Sequence, residues 1–253
     1  MIIQKEDWNM EKVDEAIKIL EPEIKVIVLD FVDPVKMADN FNKLGLITGN
    51  QEKAKEFSDY YTGVISPIEQ KTSIMSTSDK PSVFIKAAGY SPDQMCTYGS
   101  GMQGWNSLLE ICGGVNAASD LSFAFGDFDK EWIINKDIDV YIDDIWDAFY
   151  PETFGYHATN PSNARTVGQE MIDSITKDEL FSNMNAVKNN RVFLINSDLF
   201  GTVRQVVMVP YMAKWLHPEL FGDLNPEEIH QEYLNRFIGA DYNLNEVVLF
   251  AYP

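Results

Sequence analysis

The sequence predicts an α/β fold in which two αβ regions are joined by one long helix. Short β-branched apolar runs, KVIVLDF (25–31), SVFIKAA (82–88), DVYIDD (139–144) and RVFLINS (191–197), alternate with helical stretches. That alternation is the pattern of βαβ units and a mostly parallel sheet with helices on both faces. Between the first run and the other three, Ala54, Phe57, Tyr61, Val64, Ile65 and Ile68 hold helical spacing. The spacing persists for about 25 residues, nearly 40 Å if unbroken, which is long for a globular helix.

Taken in order, Met10, Val13, Ile17 and Leu20 form a helical stripe that Pro22 breaks. KVIVLDF then reads as a buried parallel strand. Asp33 and Pro34 supply a cap and a first-turn proline for a helix running to about Ile47 and stopping near Gly49. Asn50 caps the long helix, Pro67 is its interior breaker, and STSDKP (76–81) ends it. Three strand, loop and helix units follow, the first with a helix over 103–112 that Gly113 and Gly114 terminate. The last helices cover about 204–216 and 226–237, with Asn225 and Pro226 as the start signal and Gly239 as the stop.

Composition narrows the function. The 253 residues carry 39 Asp plus Glu against 20 Lys plus Arg, a formal charge of -19. Such a chain repels nucleic acid and anionic lipid headgroups, and the acids are dispersed as a solvated surface would have them. Cys96 and Cys112 have no C-x-x-C partner, and His157, His217 and His230 show no metal-ligand spacing. No zinc site, disulfide framework or resident metal is expected. Neither a signal-peptide run at the N-terminus nor an apolar run of membrane-spanning length is present in the sequence.

Gly99, Gly101 and Gly104 spell G-x-G-x-x-G inside YGSGMQGWNSLLEICGG (98–114). A dinucleotide fingerprint needs the first glycine at the end of a strand and an acidic residue at the end of a second strand about 20 residues on. The predicted strand ends near Ala88, and Asp120 has the right offset but no apolar strand before it. The context therefore argues against a nucleotide. What remains is a flexible loop feeding a helix N-terminus, a place where backbone N–H groups favour an anionic group.

Four segments in succession, LLEICGGVNAASDL, DKEWIINKDIDVYIDD, MNAVKNNRVFLINS and YMAKWLHPELFGDLNPEEIHQEYLNRFIG, resemble the substrate-binding proteins of ABC importers for iron complexes, siderophores, haem and cobalamin. VIVLDF followed by LGLITGNQEKAKEFSDYY is similar to that family's last N-lobe strand, its helix and the start of the interlobe helix. The resemblance implies a bilobal binding protein with one long interlobe helix, a complete C-lobe whose parallel-type sheet is flanked by helices, and a partial N-lobe. On that reading 1–49 is the remnant of an N-terminally truncated N-lobe, 50–80 the interlobe helix and linker, and 81–253 the C-lobe. It implies no catalytic residues and no cofactor, a metal chelate as ligand in the interlobe cleft, an ABC permease and its ATPase as partners, and an extracytoplasmic location. Glu131 resembles the C-lobe glutamate that docks on the permease. The shortened N-lobe would leave one side of the KVIVLDF strand unpaired, an edge that a homodimer can cover.

Candidate ligand-binding residues sit on the loops that the resemblance places at the cleft. Arg204 and Arg165 are two of only four arginines in the chain, and a guanidinium offers a bidentate fork to a chelate's carboxylates. Tyr98 and Ser100 offer hydroxyls. Phe125, Trp146, Tyr156 and Phe200 offer aromatic walls for large planar or macrocyclic bodies, and His157 a metal-seeking imidazole. Trp105, one turn into its helix, reads as core. Adjacent Asp143 and Asp144 point to opposite faces of a strand and cannot act as a carboxylate pair. The competing functions are a cytosolic α/β enzyme or cofactor protein using the Gly99 loop, and a C-lobe serving as an interaction module without transport.

Overall fold

The run predicted as the first strand is the second. In the computed structural model, which describes residues 1–4, 10–91, 93–156, 158, 163–239, 244 and 250–253, Ile27–Leu29 (β2) pairs in parallel with Ile2–Gln4 (β1). Met10–Leu20 (α1) is the crossover between them. At three residues β1 is too short to announce itself by alternation, yet it covers one edge of β2, an edge the sequence reading left open.

The turn after β2 is held by two carboxylates. Asp30 accepts from the backbone N–H groups of Val32 and Asp33 at 3.2 and 3.1 Å, and Asp33 accepts from that of Val35 at 3.1 Å. Lys36 places its ammonium 3.0 Å from Asp30 and 2.8 Å from Asp33, contacts that hold its proton more tightly than in water. Met37–Thr48 (α2) follows and stops at Gly49, whose φ of 72° is the left-handed conformation that glycine adopts without strain. Gln51–Thr72 (α3) is the long helix: 22 residues, or about 33 Å at the α-helical rise. Pro67 lies within it without ending it. The helix stops three residues before Met75, where Thr72 turns its hydroxyl to the carbonyl of Ile111 at 2.7 Å.

The main sheet has seven strands: Ser82–Lys86 (β3), Cys96–Tyr98 (β4), Val115–Asn116 (β5), Phe125–Asp127 (β6), Val140–Ile145 (β7), Val192–Asn196 (β8) and Ala251–Tyr252 (β9). They run in the order β6-β4-β3-β7-β8-β9, with β5 beside the start of β3. The centre β3-β7-β8 is parallel, as is β5 on β3, whereas β4, β6 and β9 are added antiparallel. The three central strands are those legible in the sequence; the outer ones are two or three residues long.

Alternation along the central strands divides the core between two faces. Val83, Ile85, Val140, Ile142 and Ile195 pack with α3, Gln103–Ile111 (α4) and Gln205–Leu216 (α8). Phe84, Tyr141 and Val192 pack on the other face against Lys130–Ile134 (α5), the last turn of Ala164–Thr176 (α6) and Asn185–Lys188 (α7). Pro218–Phe221 (α9) and Pro226–Tyr233 (α10) close the C-terminal side; α10 runs into a π-helical turn, Leu234–Ile238, and stops at Gly239, φ 66°.

The two sheets meet at Val32. Its carbonyl accepts the Gln205 side-chain amide at 2.7 Å, Gln4 reaches the carbonyl of Gly201 at 3.1 Å, and the Tyr61 hydroxyl reaches that of Pro34 at 3.1 Å. Gly104 makes the contact tight: a Cβ there would lie 2.6 Å from Val32 Cγ1 and 3.1 Å from Val32 O. Gly104→Val is expected to lower stability to urea by about 1–3 kcal/mol, the ordinary penalty of overpacking, read as a shift of the unfolding midpoint at unchanged slope.

Candidate ligand-binding site

The segments following β3 and β8, together with β4, β6 and α4, bring an aromatic wall to the junction of the sheets. Tyr98, at the end of β4, stacks on Trp105 with centroids 5.3 Å apart, and Trp105 stacks on Phe200 at 4.5 Å. Phe125 on β6 flanks Tyr98 at 6.1 Å, and Tyr90 meets Phe125 edge-on at 5.9 Å. Five rings thus run from the exposed Tyr90 to Phe200, whose far edge lies over Gly104.

A buried carboxylate anchors the wall. Asp144, on β7, accepts from the Tyr98 hydroxyl at 2.8 Å and from the Ser197 hydroxyl at 2.8 Å, tying β4 to the turn after β8. Burial pushes its pKa up to about 6, against the two hydroxyls, which favour the charged form. Asp143 points the other way and pairs with Lys86 at 3.2 Å. The neighbours serve opposite faces of the sheet, as strand geometry demands.

The glycine loop beside the wall is rigid. Contrary to the sequence reading, Gly99 does follow a strand directly, the antiparallel β4. Its N–H groups are nevertheless spent: Gly99, Ser100 and Gly101 donate to the carbonyls of Ala124, Leu121 and Phe123 at 3.2, 2.8 and 3.1 Å. Asn106 donates to the carbonyls of Gly99, Ser100 and Met102, and Asn116 to that of Tyr98. Gly99 and Gly101 are required by this embrace, since a Cβ on either would fall within 3 Å of the 121–124 backbone. Asp120 binds Lys136 and the Trp132 indole. The three glycines are packing glycines.

Arg204 leaves the same segment as Phe200 and lies 5.1 Å over the Tyr156 ring. Tyr156 shares a 2.7 Å hydrogen bond with His230 Nε2 and packs on Phe250 at 4.5 Å. His230 is fully buried, and burial first, then the Arg204 charge, drops its pKa to about 3, so the imidazole is neutral. Of the other predicted residues, Ser100, Trp146, Arg165 and Glu131 take no part in either group. Ser100 is exposed and donates its hydroxyl to Leu121 O at 2.9 Å. Trp146 is 43% exposed and pairs edge-on with Phe149, lining a cavity on the other face of the sheet. Arg165 is exposed in the first turn of α6. His157 lies outside the described residues. Glu131 is exposed in the first turn of α5, where Asp129 caps its N–H at 2.8 Å.

Asp144, His230 and Tyr90 join the site without having been singled out as ligand residues. Asp144 had a visible signal that it shares with Asp143, a pair of carboxylates within an otherwise apolar strand. His230 and Tyr90 had none, because their partners, Tyr156 and Phe125, are distant in sequence.

The chain matches the periplasmic binding protein family model over residues 1–199, and it belongs to that family. It is a ligand-binding protein and not an enzyme. Among solved structures it is similar to the TroA-like periplasmic binding protein FepB of Veillonella parvula (TM-score 0.73, 19% identity, covering 96% of this chain and 69% of that one). It is also similar to an ABC transporter solute binding protein of Sulfurospirillum deleyianum (TM-score 0.70, 15% identity, 97% and 69%). S. aureus IsdE complexed with heme matches at a TM-score of 0.55 and 18% identity, covering 82% and 80%. No curated protein is significantly similar in sequence. The fold is the helical-backbone form of the periplasmic binding protein.

Asp144 gives the site a pH signature. Its carboxyl binds a proton more tightly in the folded chain than in the unfolded one, so between pH 4 and 6 the native state holds the extra proton and stability falls as pH rises. Relative to Asp144→Asn, the wild-type unfolding free energy is expected to drop by about 3 kcal/mol from pH 4 to 7, from two units at 1.36 kcal/mol each, in parallel urea titrations. The comparison cancels His230, whose depressed pKa acts in the opposite sense.

Proposed function

We propose that the chain is the solute-binding component of an ABC importer that takes a metal chelate, an iron complex such as a ferric siderophore or haem, or a cobalamin-like corrin. One observation carries this reading: the rings of Tyr98 and Phe200, stacked on the fully buried Trp105, stand at the junction of the two sheets, with Arg204 leaving the same segment as Phe200. Aromatic faces suit planar or macrocyclic bodies, and a guanidinium suits their carboxylates. The names of the similar structures, a molybdate-bound MolA and a heme-bound IsdE, support a metal-containing cargo without selecting one. The alternative nucleotide-type reading loses its support in the spent N–H groups of the Gly99 loop.

On this reading residues 1–49 form an N-lobe portion, 50–80 the bridge and 81–253 the C-lobe, and the protein works outside the cytoplasm. Glu131 docks on the permease. Its exposure and its place at a helix N-terminus, where the dipole favours an acid, support that role. A second copy is a further partner of this proposal. β2 pairs only with β1 among the described residues, and Ile2, Ile19 and Ile24 are exposed on or near that sheet. A concentration-dependent dimer in sedimentation equilibrium, lost when Ile19 and Ile24 are both changed to Lys, is the expected result; a monomer at all concentrations removes the dimer from the proposal.

Titration with ferric citrate, a ferric catecholate, haemin and cyanocobalamin, followed by tryptophan fluorescence, tests the main reading. At least one is expected to quench tryptophan emission saturably, and Arg204→Ala to weaken a carboxylate chelate about tenfold or more, the worth of a charge-assisted hydrogen bond. A response confined to NAD or ATP overturns it.

A further inference from the structure

A cavity of about 350 Å³ lies on the face of the main sheet opposite the aromatic wall, between the ends of β3 and β7 and the C-terminal half of α6. At its floor Lys86 Nζ stands 3.2 Å from Asp143 Oδ1, with side chains only 11% and 8% exposed. Removing such a pair from water costs several kcal/mol per ion, and mutual attraction offsets this only with good geometry and further hydrogen bonds. Lys86 occupies one of the two Asp143 oxygens. A carboxylate offers about four lone-pair sites, so the group retains capacity to accept.

The rest of the lining favours a cation. Asp93 adds an exposed carboxylate from the loop after β3, and Lys86 is the only cationic side chain among the described lining residues. Trp146 and Phe149 meet edge-on at 5.3 Å along one side, with the indole 43% exposed. Tyr150 lies beside them. Burial first, and the charge of Asp143 second, hold its phenol in the neutral, donating form. Carboxylates at the floor and rim with aromatic faces between them form the chemistry that captures an ammonium group.

We propose that this cavity is a second ligand site, which takes a small organic cation carrying a primary ammonium group. The ammonium lies between Asp143 and Asp93, and the carbon body lies against Trp146 and Phe149. Asp144 borders this cavity and anchors the wall, but none of the groups proposed to hold the cation, Asp143, Asp93, Trp146 and Phe149, belongs to the wall, so the proposal is tested separately from the chelate reading.

Calorimetric titration with cadaverine, with glutarate as the dianion of matched length, tests it. Cadaverine is expected to bind saturably at one site and glutarate not at all. Asp93→Asn, on an exposed loop, is expected to weaken cadaverine about tenfold, and the charge-conserving double change Lys86→Met with Asp143→Asn to abolish binding in a chain whose melting transition shows it folded. Trp146→Phe is expected to remove the fluorescence response to cadaverine. Absence of saturable heat at millimolar cadaverine, equal binding of glutarate, or binding unchanged in Asp93→Asn overturns the proposal.

Discussion

The contact on which the arrangement depends is the seat of Val32 on the start of α4. Two sheets that share no strand are brought together there by a carbonyl, that of Val32, taking the Gln205 amide, and by the missing side chain of Gly104. Gln205 opens α8 and Gly104 opens α4, so both helix N-termini face the turn that ends β2. Phe200 fills the next position over Gly104, and Trp105 adjoins it in sequence. The wall thus inherits its position from the docking of the sheets. The carboxylates of Asp30 and Asp33 serve the same contact from the other side, by fixing the turn that presents Val32.

The parts of the fold legible in the sequence are those in which one element carries its own signal. Residues 82–88, 139–144 and 191–197 are continuous apolar runs because both faces of a central strand are covered, and they are the three parallel strands at the sheet's centre. The long helix is legible from Ala54 to Ile68 because one face stays buried over several turns. β1, β4, β5, β6 and β9 are not legible. Each has two or three residues, and each is a strand only because a neighbour supplies its hydrogen bonds. The resemblance to the substrate-binding proteins of iron-complex, siderophore, haem and cobalamin importers rested on segments from residue 26 onward, so it pointed to the family while giving no sign of Ile2–Gln4 beside Ile27–Leu29.

The site divides along the same line. Phe125 and Phe200 were readable as loop aromatics and converge with Tyr98 on one wall, where the Tyr98 hydroxyl expected to meet a ligand is instead spent on Asp144; Arg204 and Tyr156 converge on a second group beside it. Trp146 was readable by the same criterion but belongs to the opposite face, because the direction of a residue just past a strand depends on the turn that follows. G-x-G-x-x-G was the most conspicuous motif and the least informative about ligand. A spacing of glycines records where backbones approach closely, and here the approaching groups are the 121–124 segment and Val32 rather than a pyrophosphate.

Asp143 and Asp144 show how a strand apportions charge when it is covered on both sides. Consecutive residues must face opposite layers, so two adjacent carboxylates in a buried strand cannot share a proton or a partner. Each needs its own compensation, and the two layers supply different kinds: an ammonium for Asp143, and two hydroxyls for Asp144. The kind of compensation sets the chemistry. Burial raises the Asp143 carboxyl above the ordinary carboxylate range too, and the Lys86 ammonium opposes that shift while engaging one oxygen, so the second oxygen keeps capacity to accept. Hydroxyls alone leave Asp144 with a pKa near 6, and they spend both its oxygens on holding Tyr98 and the turn after β8. Asp144 is therefore a fastener for the aromatic wall, and Asp143 is the group of the pair that remains able to meet a ligand.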